Sequence, residues 1–443
     1  MNTWQRHTPD KLAPLPKVWP QYDEQQIEDV LAVLRSGKVN AWTGSRVRGF
    51  EEAYAALLGR RHAIALSNGT VALDVALQAI GLQPGEEVIV TPRSFVASAS
   101  CVPMAGGVPV FADVDRSSQA ITAETIAAVL TPRTRAVIVV HVAGWPADMD
   151  PIVRLARQHG IVVIEDCAQA HGAEISGRPV GTFGDIAAFS FCQDKIISTG
   201  GEGGLLVMDD EGIWNRAWSL KDHGKSHDAV FVQPHPLGFR WLHESFGSNY
   251  RMTEIQAAIG LRQLERLPSW HAQRAANANI LMDAFRNLPG LRTPEPPLQI
   301  RHAWYRFYTF VRPERLKRRW SRDRIMRAIS AAGVGCFSGT CSEIYREKAF
   351  RNRGFVPPEP LSAAAELGAT SLAFLVDPCQ SVASMRRAAS VAASVIQEAT
   401  GEAGVGGDWP VATPVPAWMQ WDKGKTEGRL RSGQGGRPTR RAR

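Results

Sequence analysis

Short apolar, β-branched runs recur at 63–66, 88–91, 108–111, 136–140, 161–164, 186–191 and 205–208. Most are continuously apolar rather than alternating. Strands buried on both faces read this way, as in a largely parallel sheet covered by helices. Helical segments fall between them: one is predicted over 71–80, closed by Gly81, and another over 150–159, closed by Gly160. Strand alternating with helix predicts an α/β large domain with a mostly parallel, seven-stranded sheet. Such sheets bind ligands beyond the C-terminal strand ends. A long amphipathic helix is expected over 253–267, serving as a hinge. Beyond it the pattern changes to helices and short strand pieces, a smaller α+β domain. The division expected is an N-terminal arm over 1–40 with one helix at 24–34, a large domain over 41–265, a small domain over 266–400 and a tail over 401–443.

Composition narrows the picture. The 443 residues are 44% hydrophobic and 21% charged, ordinary for a soluble globular chain. No apolar run approaches the ~18–20 residues of a membrane span, and the first residues lack an apolar signal core, so a cytoplasmic protein without membrane insertion is expected. The six cysteines form no C-x-x-C pair and mostly lie in apolar stretches. They read as buried reduced thiols, and no metal site is signalled. The net charge of +8 is uneven: residues 421–443 alone carry eight basic and two acidic side chains, leaving +2 for the rest. That Gly-, Pro- and Arg-rich tail is expected to be disordered. No folded nucleic-acid reader accompanies it, so nucleic acid is not an expected partner.

Three segments could carry chemistry, and each lies at a predicted strand end. Ser67-Asn-Gly69-Thr70 runs from a strand into a helix N-terminus, where free backbone N–H groups and the helix dipole favour an anion; by itself it could equally be a simple N-cap. Glu165-Asp166 closes a strand. Asp166 would suit a pyridinium nitrogen, keeping it protonated so that the ring acts as an electron sink; the alternative is an acid capping a helix from about Cys167. Gln169 and His171 follow and could reach the ring's phenolate oxygen or the substrate. Lys195 stands just past a buried strand, an unusual place for a lysine. Partial desolvation would push its pKa down and suit it to Schiff-base formation and proton shuttling. A phosphate cradle, a ring-nitrogen carboxylate and a lysine, in that order, are the parts of a pyridoxal-phosphate site. Phe95 is available to stack on the ring.

The wording of these segments resembles the DegT/DnrJ/StrS family of sugar aminotransferases over roughly residues 15–400. It is carried by Ser67-Asn-Gly-Thr-Val-Ala-Leu73, Val110-Phe-Ala-Asp-Val114, His141-Val-Ala-Gly-Trp-Pro-Ala-Asp148, Ile164-Glu-Asp-Cys-Ala-Gln-Ala-His-Gly172, Phe189-Ser-Phe-Cys-Gln-Asp-Lys195, Gly200-Gly-Glu-Gly-Gly204 and Asn249-Tyr-Arg-Met-Thr-Glu254. The resemblance implies the fold type I of pyridoxal-phosphate-dependent transferases and a homodimer with active sites at the subunit interface. It implies that Lys195 carries the cofactor, Asp166 meets its ring nitrogen and Gln169 its ring oxygen. Phe95 would stack on the ring, and Gly69, Thr70 and Ser190 would hold the phosphate. Asn249 would reach the cofactor phosphate of the neighbouring subunit. The implied reaction moves an amino group from L-glutamate to a nucleotide-linked keto sugar for surface-polysaccharide or related sugar synthesis.

Some text departs from the family. The stretch from Gly335 to Tyr345 lacks the usual histidine-bearing substrate loop, and Asp377 stands where a histidine is expected. A sugar dehydratase is an alternative, but Lys195 is present and a cysteine cluster is absent, and both count against it. A catalytically silent homologue has only the drifting C-terminus in its favour.

Overall fold

The computed structural model describes residues 18–235 and 237–401. The tail expected to be disordered lies outside the described residues, as do residues 1–17.

Seven strands form the central sheet: β1 His62–Leu66, β2 Glu87–Val90, β3 Val108–Phe111, β4 Thr134–Val140, β5 Val162–Asp166, β6 Ile186–Ser190 and β7 Gly204–Met208. Their order is β1-β7-β6-β5-β4-β2-β3. β7 runs against both its neighbours, and every other pair is parallel. The continuous apolar runs now have a physical reason. Ile64 and Leu66 of β1 pack into one core while Ala65 packs into another, and Leu206 and Leu205 of β7 divide the same way. In β4, Ile138 and Val140 face one layer and Val137 and Val139 the opposite one. With helices on both sides no strand position can be polar without a specific partner.

The helix after β1 begins at Gly69 rather than 71, because the Asn68 side chain accepts a hydrogen bond from the Val71 N–H at 2.9 Å and caps it. The expected hinge helix is longer than predicted. It runs over Glu254–Phe285, 32 residues, straight through Pro268. A mid-helix proline loses a hydrogen bond and costs about 3 kcal/mol, but both halves are anchored. Leu267 and Trp270 lie in the large-domain core, and Leu281 and Phe285 lie in the small-domain core. One helix thus belongs to both domains.

The small domain is an antiparallel sheet of β8 Leu291–Arg292, β9 Phe307–Val311, β10 Cys336–Phe337 and β11 Ser371–Phe374, ordered β8-β9-β11-β10. The helix Val382–Thr400 covers it, with Met385, Ala389 and Ile396 in the same core. It is tied to the large domain by buried Arg93, which donates to Gln119 Oε1 at 2.9 Å and to Ser342 Oγ at 2.7 Å. Among the described residues no helix is long and apolar enough to cross a membrane.

Candidate active site

A cavity of about 510 Å³ opens at the C-terminal ends of β1, β5 and β6, lined by Gly69, Thr70, Asp166, Ser190 and Lys195. A second, of about 480 Å³, adjoins it on the small-domain side. Phe95, Gln169, Asp194 and Lys195 line both.

The last two residues of β5 show how strand alternation sorts side chains. Glu165 faces away from the cavity and is fully used: it accepts from the backbone N–H groups of Gly181, Phe183 and Gly184 and contacts His141 Nε2 at 3.1 Å. Burial disfavours its charge, but His141 and those N–H groups outweigh it and hold its pKa low. Asp166 faces the cavity. Its two oxygens accept from Ser98 Oγ at 2.7 Å and from the Ala168 N–H at 3.1 Å. Burial nevertheless pushes its pKa up. A carboxyl so placed gains from a cationic neighbour on the cavity side. No helix follows it, so the capping alternative falls away.

Gln169 gives its amide oxygen to the Ala143 N–H at 2.8 Å, so its NH₂ group is the end left for the cavity. Phe95 is 63% exposed, large for a phenylalanine between two cavities. Opposite, β6 and the helix from Gly69 nearly touch: a Cβ on Gly69 would lie 2.5 Å from Ser190 Cβ. Only glycine permits that approach, which brings the first-turn N–H groups, Thr70 and Ser190 to one wall. A wall suited to an anion, a buried carboxyl and a lysine in one cavity fit pyridoxal phosphate: Gly69, Thr70 and Ser190 would lie toward its phosphate, Asp166 toward its ring nitrogen, and Lys195 would be its covalent anchor.

Two expectations are corrected. His171 does not reach the cavity. It is fully buried beneath the sheet end, with Nδ1 2.7 Å from Tyr54 Oη and Nε2 2.8 Å from the Ser190 carbonyl oxygen. Burial lowers its pKa to about 4. It braces β6 from behind and has no ring nitrogen left for a substrate. The pKa of Lys195 is raised, not lowered: burial pulls it down, but Tyr305 and Asp194 outweigh burial. Asn249 is exposed, bridged to Asp222 through backbone, and does not line the Lys195 cavity of its own chain.

Sequence reading missed Tyr305 and left Asp194 and Ser98 without roles. Ser98 is found only once the helix Ala97–Met104 is laid beside β5. Tyr305 lies 110 residues from Lys195, its hydrogen-bond partner, with no local signal to mark it.

Residues 20–385 match the profile of the DegT/DnrJ/EryC1/StrS aminotransferase family. The chain belongs to that family. It is an aminotransferase, in a family that depends on pyridoxal phosphate. An aminotransferase from Psychrobacter cryohalolentis is 49% identical, with a TM-score of 0.85 over 86% of this chain and 99% of that one. DesI, solved in the presence of its TDP-sugar product, is 27% identical, with a TM-score of 0.77 over 87% of this chain and 94% of that one. The spore coat polysaccharide biosynthesis protein SpsC of Bacillus subtilis is 38% identical over 293 residues, 66% of this chain and 74% of its own length.

Proposed function

We propose that the enzyme moves an amino group from L-glutamate to a keto carbon of a nucleotide-linked sugar, with Lys195 as the cofactor-bearing lysine. One observation carries this reading: Lys195 lines both cavities, with Asp166 and the Gly69–Ser190 wall on one side and room for a large polar substrate on the other. The TDP-sugar product of DesI and the polysaccharide role in the name of SpsC support a sugar acceptor. Exposed Phe239, Trp241 and Phe246, next to Asn249, support a homodimer in which that segment meets the neighbouring subunit.

When bound, the cofactor supplies an electron sink for a carbon next to the transferred nitrogen. The chain does the rest. Asp166, held by Ser98 and Ala168, keeps a proton at the ring nitrogen. Gln169 orients the ring oxygen through the NH₂ group that Ala143 leaves free. Lys195 moves one proton, a positioned transfer that contributes typically about 10²–10⁴-fold. Phe95 shields one face from water. The net reaction converts L-glutamate and keto sugar to 2-oxoglutarate and amino sugar.

The test is the visible absorption spectrum of the protein with pyridoxal phosphate, before and after L-glutamate. A band that changes on adding glutamate supports cofactor and donor together. A band indifferent to glutamate overturns the donor. No band in the wild type overturns the assignment of Lys195.

A further inference from the structure

Four polar side chains meet where the Lys195 loop touches the segment that leads into β9. Lys195 Nζ lies 3.4 Å from Tyr305 Oη and 3.4 Å from Asp194 Oδ1. Tyr305 donates its hydroxyl to the same Asp194 carboxylate. Arg306 Nη2 stands 3.9 Å from Asp194 Oδ2. Tyr305 is buried, 8% exposed, and its ring lies beside the amine, with Nζ 5.0 Å from the ring centroid. The amine nitrogen is therefore touched by oxygens from two stretches of chain, its own loop and the segment ahead of β9, whose Tyr305 N–H donates to the Ala143 carbonyl and whose ring packs in the large-domain core.

We propose that Asp194 and Tyr305 are positioning residues for Lys195. The Asp194 carboxylate offsets the positive charge that Nζ acquires when it takes a proton from the substrate, and the Tyr305 hydroxyl holds carboxylate and amine together. The inference rests on Lys195 being the cofactor-bearing lysine. The step is a proton transfer: a substrate C–H bond breaks, an N–H bond forms at Nζ, and the electron pair stays on the carbon side. The ammonium later returns that proton, and Asp194 keeps its charge throughout.

The surroundings favour this role. Asp194 remains ionised because burial, which works against it, is outweighed by Lys195, Tyr305 and Arg306. Among the other charged or titratable groups around Lys195, Cys192 shares its loop, Asp166 comes from β5, Glu202 lines the far wall, His171 lies behind β6, Arg306 precedes β9, and Tyr308, Asp377 and Cys379 line the adjoining cavity. Asp166 is committed to Ser98 and Ala168, and Arg306 opposes a cation. Asp194 is the acid bonded directly to the amine. A phenylalanine at 305 would fill the same space, yet the tyrosine oxygen spends both its contacts on Lys195 and Asp194.

The test compares wild type, Asp194→Asn, Tyr305→Phe and Asp194→Glu as full-length, cofactor-loaded proteins. The readouts are the pH midpoint of the visible band, kcat, the glutamate KM and the melting temperature. Losing the carboxylate charge disfavours a positive charge on the lysine nitrogen. The midpoint is therefore expected to move to lower pH in Asp194→Asn. There kcat falls by about 10- to 100-fold while KM stays within about threefold. Tyr305→Phe shows the same pattern more weakly, and Asp194→Glu recovers part of the loss. Wild-type midpoint and kcat in both Asp194→Asn and Tyr305→Phe, with only the melting temperature lowered, would overturn the proposal and leave a packing role. The Asp194 side chain is 43% exposed, so Asp194→Asn gives the deciding readout even if Tyr305→Phe does not fold. A wild-type protein without the band, or a Lys195→Ala protein that keeps it, sinks the assignment of Lys195 instead.

Discussion

The two cavities that meet at Lys195 are built by different means. The deeper one is a product of the sheet. Its walls are the C-terminal ends of β1, β5 and β6 and the backbone of a helix start that Asn68 caps. Each part comes from a short local segment whose place follows from strand register. The adjoining cavity is a product of assembly. It gathers Trp19 from the N-terminal arm, Tyr305 and Tyr308 around β9, Phe337 from β10 and Asp377 beyond β11. No two of those segments adjoin in sequence, and their meeting depends on how the small domain docks. The rigid, local cavity suits a cofactor that stays the same. The assembled one suits the part of the reaction that must fit one substrate.

The strongest test of that division acts on Lys195, one of the four residues that line both cavities. Lys195→Ala is expected to abolish the visible band and to cut turnover by about 10⁴-fold or more. The unloaded chain should keep its melting temperature, because Lys195 has no apolar core role. A variant that still turned over near the wild-type rate would show that the cavities do not converge on this lysine.

The same division explains how much could be read from the sequence. The strands were legible because burial on both faces leaves an unbroken apolar signature. That Asp166, Gly69 and Lys195 would meet in one cavity was legible because each ends or follows such a strand. His171 was misread because it lies two residues beyond Gln169 on a turn. Only the packing of Tyr54 beneath β6 reveals that its ring turns inward. The pKa direction of Lys195 was misread for the same kind of reason. Burial was visible in the motif, but the opposing tyrosine comes from a segment 110 residues further on. Pro268 looked like a helix end because its cost is local, whereas the cores that hold both halves of the helix are not.

Gly69→Ala should separate the cavities. The new methyl would stand 2.5 Å from Ser190 Cβ and 3.1 Å from Ser190 Cα, so backbone must move. Overpacking of this kind costs typically about 1–3 kcal/mol. The expected result is a cofactor dissociation constant raised by about 5- to 150-fold, which is that energy expressed as binding, and an unchanged acceptor KM at saturating cofactor. Spectroscopic titration with pyridoxal phosphate reads the first and steady-state kinetics the second. A shift in acceptor KM alone would mean that the phosphate wall is not where this glycine acts.

Phe337→Ala is the smallest of the three changes and the converse test. Phe337 is 36% exposed and lines the small-domain cavity without entering the deeper one. Its truncation leaves the sheet core intact, because Cys336, its neighbour on β10, supplies the buried side chain. The variant removes apolar surface from the substrate side alone, worth about 1–2 kcal/mol when a ligand covers it. Acceptor KM should rise by about 5- to 30-fold, while the visible band, its response to L-glutamate and its pH midpoint stay at wild-type values. A changed band with unchanged acceptor KM would reverse the assignment of the two cavities. Changes in both would show that the small domain transmits its packing to Lys195, through the Tyr305 hydroxyl that bonds the amine.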